Sequence, residues 1–262
     1  MLFLKAQLLA GVTHGFTVRE GGVSQGAYAS LNLSDAVGDD EASVRENLRR
    51  LREEAELERP IATARQVHGD RILAARSGGL VEVLPPTESG PDASSEITAA
   101  GEPGDAVLAL EPGAAAGVRV ADCVPVLLFD PDNQVGAAVH SGWRGTRLGI
   151  AARAVRALQH AAGSDPTRLV AAIGPAIGPC CYEVAPELGA LFRASFGPAA
   201  VVEKARPHLD LRAAIELSLR GAGLLAERIE RVGGCTACEA GAFFSHRRDK
   251  GRTGRHLAFI SV

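Results

Sequence analysis

The sequence predicts an α+β fold with mixed β-sheets. Short apolar runs rich in valine, bounded by glycine or proline, have the length of buried strands. Other segments repeat their apolar residues every three or four positions, as amphipathic helices do. The two kinds of segment do not alternate steadily along the chain, and this favours mixed sheets over a regular parallel arrangement.

The first helix is predicted at residues 44–58, where apolar residues such as Leu51 fall on one face. Ser43 followed by Glu46 has the spacing of a capping box at its start. Pro60 would end the helix, because proline cannot continue it.

The strands are predicted in the apolar runs that follow. They are IATARQV (61–67), AVLAL (106–110), GVRVA (117–121), VPVLLF (124–129), VGAAV (135–139) and LVAAI (169–173). The stretch between Ser77 and Gly104 is rich in glycine, proline, serine and glutamate, and we expect it to be a surface excursion within the domain.

Later helices are predicted at 146–162, 185–196 and 211–220. The first of these ends at Gly163, and Asp210 caps the last. The tail 245–262 predicts a turn-rich basic loop that leads into a final strand.

Composition narrows the class of protein. The chain has 262 residues, enough for one large domain or two small ones, and a formal net charge of -3 with 4% aromatic residues. That balance gives no reason to expect nucleic-acid binding. No apolar run approaches the roughly 20 residues that cross a bilayer, and no signal peptide is evident. Five cysteines, an odd number, suit a reducing compartment, so we expect a cytoplasmic protein. We also expect a monomer.

Three potential metal ligands, His68, Cys123 and His140, each follow an apolar run. Loops that begin at strand ends converge easily, and two imidazoles with one thiolate suit zinc while leaving a fourth position for water. Such an ion lowers the pKa of bound water to about 7. The alternative is that each residue is structural: the histidines hydrogen-bonded, and the cysteine a small buried hydrophobe.

A candidate anion site follows the third ligand. Residues 142–145, GWRG, lead into the helix predicted from Thr146, and Arg144 offers a fork suited to phosphate or carboxylate. The alternative is that Trp143 and Arg144 only pack and cap locally. The basic run 245–248, which contains Arg247, is a second candidate for binding substrate, although such runs are more often solvated.

The four remaining cysteines allow a competing site. Cys235 and Cys238 form a Cys-x-x-Cys motif, and Cys180 and Cys181 are adjacent. Together they could make a structural zinc site or a redox centre. Successive side chains tend to diverge, however, so we expect all four to be structural residues without a metal.

Several long and unusual strings run through the chain. They are THGFTVREGGVSQGAYASLNL, VGDD, RQVHGD, ADCVPVLLFD, HSGWRGTRLGI, IGPAIGPCCYEV, CTAC and FFSHRRDKGRTGR. These strings resemble the laccase-domain family, whose members are also described as purine nucleoside phosphorylases and peptidoglycan-editing factors. The resemblance covers nearly the whole chain, residues 1–262, and implies one α+β domain of layered mixed sheets flanked by helices. The family's usual DALVT string reads DAVLA here, at residues 105–109.

The resemblance implies that His68, Cys123 and His140 bind zinc, the same residues that the strand ends suggest. It also places Arg19 and Asn32 near the substrate. The implied reactions are phosphorolysis of adenosine, inosine and methylthioadenosine, and deamination of adenosine. The expected partners are therefore a purine nucleoside and phosphate, with no nucleic acid and no membrane.

Individual residues can be assigned roles in both reactions as hypotheses. In deamination, water activated by the ion would attack C6 while Asp122 moves protons, unless strand alternation turns Asp122 away. In phosphorolysis, Arg144 and the helix start would hold the phosphate.

Three alternatives stay open at this point. The first is a copper-dependent polyphenol oxidase of laccase type, although none of the seven histidines forms a His-x-His pair; Cu²⁺ could still occupy the His/Cys/His site. The second is a metal-dependent amidase that edits peptidoglycan precursors, since an activated water attacks amides as well. The third is a binding protein that zinc only stabilises.

Overall fold

The computed structural model describes residues 1–76, 79–84, 87 and 101–262. Two large sheets pack face to face, and helices cover their outer faces. The predicted α+β class with mixed sheets is confirmed.

The strands of the described residues are numbered in chain order. They are β1 Phe3–Leu4, β2 Thr13–Thr17, β3 Ile61–Ala62, β4 Ile72–Arg76, β5 Gly79–Leu84, β6 Ala106–Ala109, β7 Ala115–Val120, β8 Val124–Asp130, β9 Val135–Ser141, β10 Val170–Ile173, β11 Val201–Val202, β12 His208–Leu209, β13 Ile229–Arg231 and β14 His256–Ser261.

The α-helices of the same residues are α1 Glu41–Glu54, α2 Trp143–Arg147, α3 Ile150–Ala162, α4 Pro186–Phe196 and α5 Leu211–Gly221. Short 3₁₀ turns occur at Gln7–Leu9, Gly26–Tyr28, Pro198–Ala200 and Ala226–Arg228. No helix in this part of the chain is both long and apolar enough to span a bilayer.

The described strands form a first sheet in the order β1-β2-β14-β7-β3 and a second in the order β13-β10-β8-β9-β6-β4-β5, with β11 and β12 as a separate pair. Both large sheets contain parallel as well as antiparallel neighbours. The centre of the second sheet, β8 and β9, is buried along its whole length. This explains why both strands have nearly continuous apolar sequences.

Alternate side chains of the second sheet enter two different cores. Leu127 and Phe129 join Phe16, Val118 and Ile260 in the layer between the sheets. The opposite face of the second sheet packs on α3, α4 and α5. The outer face of the first sheet packs on α1, so the order of layers is helix, sheet, sheet, helices.

The first helix begins earlier than its predicted capping box. The Asp40 carboxylate, not Ser43, caps α1 by accepting the Ser43 backbone N–H at 2.8 Å. Glu46 instead pairs with Arg49 and Arg50 on the helix surface. The predicted start at residue 44 was therefore wrong, because Asp40, four residues upstream, is the N-cap.

The helix predicted at 146–162 is two helices. α2 already begins at Trp143, and Gly149 adopts a left-handed conformation with φ of 71° between α2 and α3. The predicted end is confirmed, since Gly163 takes the left-handed C-cap position of α3. The predicted helices 185–196 and 211–220 correspond to α4 and α5, and Asp210 caps α5 through the Ala213 N–H.

The run 61–67 is a strand only at Ile61–Ala62. Beyond it, the Gln66 side chain replaces the expected backbone pairing: its amide donates to the Arg119 carbonyl at 2.8 Å and accepts the Arg119 N–H at 2.7 Å. The other predicted strands are confirmed within one or two residues at most ends. In the predicted surface excursion, residues 79–84 are strand β5; positions 77, 78, 85, 86 and 88–100 lie outside the described residues.

Candidate metal centre

Three side chains predicted to bind a metal converge at one end of the second sheet. His68 lies in the loop before β4, Cys123 lies between β7 and β8, and His140 lies near the end of β9. Their ligand atoms all lie within 4.8 Å of one another. Cys123 Sγ is 3.8 Å from His68 Nε2, and the two imidazole rings meet edge to face. The structure thus brings together the full set that was predicted.

Asp105 orients two of these ligands and was missed in the sequence. Its Oδ1 lies 2.8 Å from His140 Nδ1, and its carboxylate also accepts the backbone N–H groups of Val67, His68 and Gly69. The hydrogen bond to Nδ1 leaves Nε2 of His140 free to bind a metal ion. A carboxylate behind a ligating histidine is the usual partner that fixes the ring at metal sites.

Two residues at the centre hold a left-handed backbone. His68 has φ of 59° and Asp122 has φ of 86°. A non-glycine residue in this region costs of the order of 1–3 kcal/mol, and such residues cluster at functional sites. Asp105 secures the first through backbone N–H groups; for the second, the Asp122 carboxylate accepts the Thr236 hydroxyl and the Arg247 N–H, both at 2.6 Å.

The electrostatics favour a thiolate at Cys123. Burial by itself would raise the pKa of this thiol, but the imidazoles of His140 and His68 outweigh it and lower the pKa to about 6. Burial would lower the pKa of His140, whereas Cys123 and Asp105 together raise it to about 10. A cation that binds here would replace the proton held by these groups, because ligands must be deprotonated to coordinate.

Gly142 provides space for the ligands. A Cβ at this position would lie 3.0 Å from His68 Cδ2 and 3.1 Å from Cys123 Sγ. Glycine therefore allows the backbone after β9 to approach both ligands closely.

The three ligands line a cavity of about 810 Å³. Among the described residues, its walls carry five arginines and the aromatic side chains Trp143 and Tyr182. A cavity of this volume is in the range that holds small molecules. Burial, which is the main cause, raises the pKa of Tyr182 to about 12, so its hydroxyl stays protonated near neutral pH.

Arg144 lies in this cavity, as predicted for an anion site, but the helix beside it is short. α2 has only five residues and starts at Trp143, with Gly142 as its N-cap. The Arg144 guanidinium stacks over the Trp143 indole at 4.5 Å. It makes no hydrogen bond or ion pair with any residue that the structure describes, so its donors are available to a ligand.

Arg247 also reaches the cavity. Its guanidinium lies 5.0 Å above the Tyr182 ring and donates to the Glu183 carbonyl at 3.0 Å. Asp122 lines the cavity too, but both of its carboxylate oxygens are already hydrogen-bonded. These two hydrogen bonds tie the Asp122 backbone beside Cys123 to Thr236 and Arg247, and the predicted proton-moving role of Asp122 stays a prediction.

Arg19 and Asn32 do not line this cavity in the described structure. Arg19 donates to the carbonyls of Ala29 and Ala240 and stacks on Phe244. Asn32 is completely buried, and its amide bonds Asp39, the Ser34 backbone and the Arg255 N–H. Both residues organise loops behind the cavity wall, and neither reaches the metal ligands.

His246 and Arg255 line the cavity together with Tyr182, and no role was predicted for them individually. His246 belongs to the basic run 245–248, so the motif was noticed but the residue was not. Arg255 and Tyr182 fall in strings that resemble the family. Apart from that resemblance, little in the sequence around them indicated that they would line the cavity.

The four remaining cysteines also come together, contrary to expectation. The sulfurs of Cys180, Cys181, Cys235 and Cys238 all lie within 4.8 Å of one another. Adjacent cysteines were expected to diverge, as in a strand. Cys180 and Cys181 lie instead in a turn, which the Cys181 N–H closes by donating to the Gly178 carbonyl at 3.0 Å.

Two imidazoles and a thiolate, one imidazole held by a buried carboxylate, are a donor set that fits zinc and also copper. The first shell is supplied by three residues, and the cavity on one side leaves room for a further ligand. These three residues can therefore hold one metal ion at the cavity wall.

Comparison with known proteins gives one consistent result. The profile of the multi-copper polyphenol oxidoreductase laccase family matches residues 13–262. The purine nucleoside phosphorylase YlmD of Geobacillus stearothermophilus is 38% identical over 259 residues, covering 96% of this chain and 90% of that protein. A purine nucleoside phosphorylase of Deinococcus radiodurans is 38% identical over 261 residues, covering 99% and 92%. The crystal structure of the Geobacillus YlmD superposes with a TM-score of 0.85 at 35% identity, covering 99% of this chain and 98% of that one.

Proposed function

The chain belongs to the multi-copper polyphenol oxidoreductase laccase family, and from the names of its relatives and the site described above we propose that it is a metal-dependent purine nucleoside phosphorylase. The observation that carries the proposal is the convergence of His68, Cys123 and His140 on the wall of a cavity of about 810 Å³. The Geobacillus and Deinococcus phosphorylases are similar to this chain over 90% and 92% of their own lengths.

The proposed ion is zinc, held by His68, Cys123 and His140. When bound, such an ion supplies a Lewis acid with an open coordination position at the cavity wall. Asp105 would keep the His140 ring in the tautomer that offers Nε2, because its carboxylate accepts the proton on Nδ1.

The phosphate site is proposed at Arg144, with Arg247 as a second cation. Both guanidinium groups line the cavity, and Arg144 has uncommitted donors within the described structure. In phosphorolysis, a phosphate oxygen bonds to C1′ of the ribose as the bond from C1′ to the base breaks. The electron pair leaves with the base, which gains a proton while the phosphate loses one. Arginines that hold the phosphate bring it to C1′ and balance its charge.

The purine is proposed to lie against Trp143 and Tyr182. Both rings line the cavity and offer aromatic surface to a base, and the protonated Tyr182 hydroxyl can donate a hydrogen bond to the nucleoside. Asp122 and Thr236 would keep the Cys123 loop in place, while the Asp122 carboxylate also fixes the start of the loop that carries Arg247.

Copper-dependent phenol oxidation, which the family description suggests, has less support from the residues. A multicopper oxidase needs many imidazoles grouped around several ions. All seven histidines lie in the described part of the chain, and only His68 and His140 meet in a cluster of possible ligands. Oxidation by a copper-loaded protein would therefore be a side reaction of the same site.

The proposal is tested by incubating the purified protein with adenosine and phosphate and identifying the products. Adenine and ribose 1-phosphate are expected. Inosine would instead indicate deamination, the other reaction implied by the family resemblance. The same assay is run with inosine and with methylthioadenosine, and release of a free base or a deaminated product from none of the three by metal-replete protein would refute the proposed function.

Cys123→Ala links the reaction to the metal. This variant should lose the ion of the centre and at least about 100-fold in turnover, as expected when a first ligand is removed. His160→Ala is the matched control, because this exposed histidine on α3 belongs to no cluster in the described residues. Full turnover by folded Cys123→Ala without the ion would overturn the metal-dependent mechanism.

A further inference from the structure

A second group of possible ligands lies outside the proposed active site. Cys180 Sγ and Cys181 Sγ lie 3.4 Å and 3.3 Å from Cys238 Sγ, and Cys235 completes the group. Four sulfurs bound tetrahedrally about 2.3 Å from one zinc ion lie about 3.8 Å from each other. The sulfurs here, all within 4.8 Å, are thus already close to the spacing that one ion requires.

Backbone turns direct the four thiols to one point. In a strand, successive side chains point to opposite faces. The backbone from Gly178 to Cys181 is a turn instead, so the neighbouring side chains of Cys180 and Cys181 can point to the same side. On the other segment, the N–H groups of Cys238 and Glu239 both donate to the Cys235 carbonyl, which curls the Cys-x-x-Cys motif. The two segments together supply four cysteines, the Cys₄ ligand set of many structural zinc sites.

The surroundings also suit bound thiolates. The Gly178 N–H donates to Cys235 Sγ at 3.2 Å, a hydrogen bond that stabilises negative charge on sulfur. A Cβ on Gly178 would lie 3.2 Å from Cys180 Sγ and 3.3 Å from Cys235 Cβ, so glycine leaves space for the sulfurs. Cys180 and Cys238 are exposed, which gives an ion access without unfolding.

We propose that Cys180, Cys181, Cys235 and Cys238 bind a second divalent ion, zinc, in a closed four-thiolate site. A single ion fits sulfurs this close together, whereas an iron–sulfur cluster places several atoms between its thiolates and would hold them further apart. With all four positions filled by protein, the ion is structural. It differs from the His/Cys/His centre in ligand set and in having no open position.

The second ion would join two segments that form the cavity wall. One segment runs from Ala176 to Tyr182, and the other from Gly234 to Arg247. They already touch through backbone bonds, in which the Ala176 N–H donates to the Gly234 carbonyl and the Thr236 N–H donates to the Ala176 carbonyl. Tyr182 and Arg247 lie one on each segment, so the second site would fix their relative position.

The test measures bound metal per chain in protein expressed with zinc and purified under a reductant. The wild type should hold two ions, Cys238→Ser one, Cys123→Ser one, and the double variant none. Cobalt provides an independent readout, because four thiolates around Co²⁺ give intense visible and charge-transfer bands. These bands should persist in Cys123→Ser and vanish in Cys238→Ser.

Several results would overturn the second site: a single ion in the wild type that Cys238→Ser retains, or a disulfide among the four cysteines in freshly prepared reduced protein. If Cys238→Ser does not fold, zinc titration of metal-free Cys123→Ser decides, since one binding step is then required and the absence of any step refutes the site. The metal readout does not depend on the proposed phosphorylase activity. If that function also holds, Cys238→Ser should raise the KM for nucleoside while the ion of the His/Cys/His centre stays bound.

Discussion

At the scale of single residues, the metal centre depends on one buried carboxylate. Asp105 is completely buried, yet it faces four donors: His140 Nδ1 and three successive backbone N–H groups. Burial opposes its ionisation, but the hydrogen bond and charge of His140 outweigh this and lower the pKa of Asp105. The same group thus aims one ligand and holds the strained backbone of another, His68.

Asp105→Asn should weaken zinc binding by about 10- to 100-fold, the usual cost of losing the partner behind a ligating histidine. Asparagine has one accepting oxygen where aspartate has two, so its NH₂ group would face one of the N–H donors that bond to the Asp105 carboxylate. Competition with a chelator of known affinity measures the change. Asp130→Asn is the control, because Asp130 is equally buried but accepts hydrogen bonds in a turn beyond β8. Equal zinc affinity in folded Asp105→Asn would contradict the role of this carboxylate.

Gly142→Ala should also weaken the metal centre, by on the order of tenfold, comparable to the smaller losses seen when a group behind a ligand is changed. Its Cβ would approach His68 Cδ2 and Cys123 Sγ to about 3 Å, so at least one ligand has to move. The same chelator competition applies. Gly11→Ala adds a Cβ that meets nothing within 4 Å and should leave affinity unchanged. If both variants bind zinc with the same affinity, the ligands tolerate the added Cβ, and the close approach of the Gly142 backbone does not matter for zinc binding.

At the scale of elements, the break between α2 and α3 lets the two helices contact different parts of the molecule. α2 holds Trp143 and Arg144 at the cavity, whereas α3 packs its apolar face on the second sheet. Gly149 makes the break with its left-handed backbone, and its N–H donates to the Thr146 carbonyl. A single straight helix could not both place Trp143 and Arg144 at the cavity and pack along the sheet as α3 does.

Gly149→Ala should destabilise the protein by about 1–2 kcal/mol, the cost of a left-handed conformation for a residue with a Cβ. No atom lies within 4 Å of that Cβ, so the effect is conformational rather than steric. Gly221→Ala is a control of opposite sign: this residue ends α5, also without a neighbour within 4 Å, and alanine should stabilise the helix by up to about 1 kcal/mol. Urea unfolding of both variants measures the difference, and equal shifts of the same sign would reject the explanation.

The sequence predicted the elements whose patterns arise from burial and missed those that depend on partners. β8 and β9 were predictable because both faces are buried. β2 was not, since it contains Gly15, where the rings of Phe3 and Phe259 occupy the space of a side chain. Asp105 was missed for a similar reason. Its role follows from register: Ala106 pairs with Val139 on antiparallel strands, and this sets Asp105 opposite His140.

His68 is held at the site by Asp105, since β3 ends at Ala62 and no described strand leads directly into this residue. The convergence of Cys123 and His140 was predictable, because they lie at the start of β8 and the end of β9, which pair antiparallel. The convergence of the four cysteines was not, because it depends on two turns whose geometry the residue types do not specify. The side chains of Cys180 and Cys181 were expected to diverge only because the backbone there was assumed to be extended.

At the scale of the whole molecule, the charge of the cavity differs in sign from that of the chain. The chain carries a formal net charge of -3. The cavity is lined by more basic than acidic side chains: Arg65, Arg119, Arg144, Arg247 and Arg255 against Asp35, Glu41 and Asp122. A cleft with one prevailing sign concentrates ligands of the opposite sign and does so less at high salt.

The proposed phosphorylase should therefore lose affinity for phosphate as salt increases, while its affinity for the uncharged nucleoside stays the same. Raising ionic strength from about 0.01 M to about 0.15 M shortens the screening length from about 30 Å to about 8 Å, and the KM for phosphate should rise severalfold. Arg144→Gln should raise that KM at low salt and reduce its salt dependence, whereas Arg156→Gln, an exposed change on α3 outside the cavity, should do neither. If both KM values rose in parallel, or if the Arg144 variant kept the full salt effect, the anion would bind elsewhere than beside the metal centre.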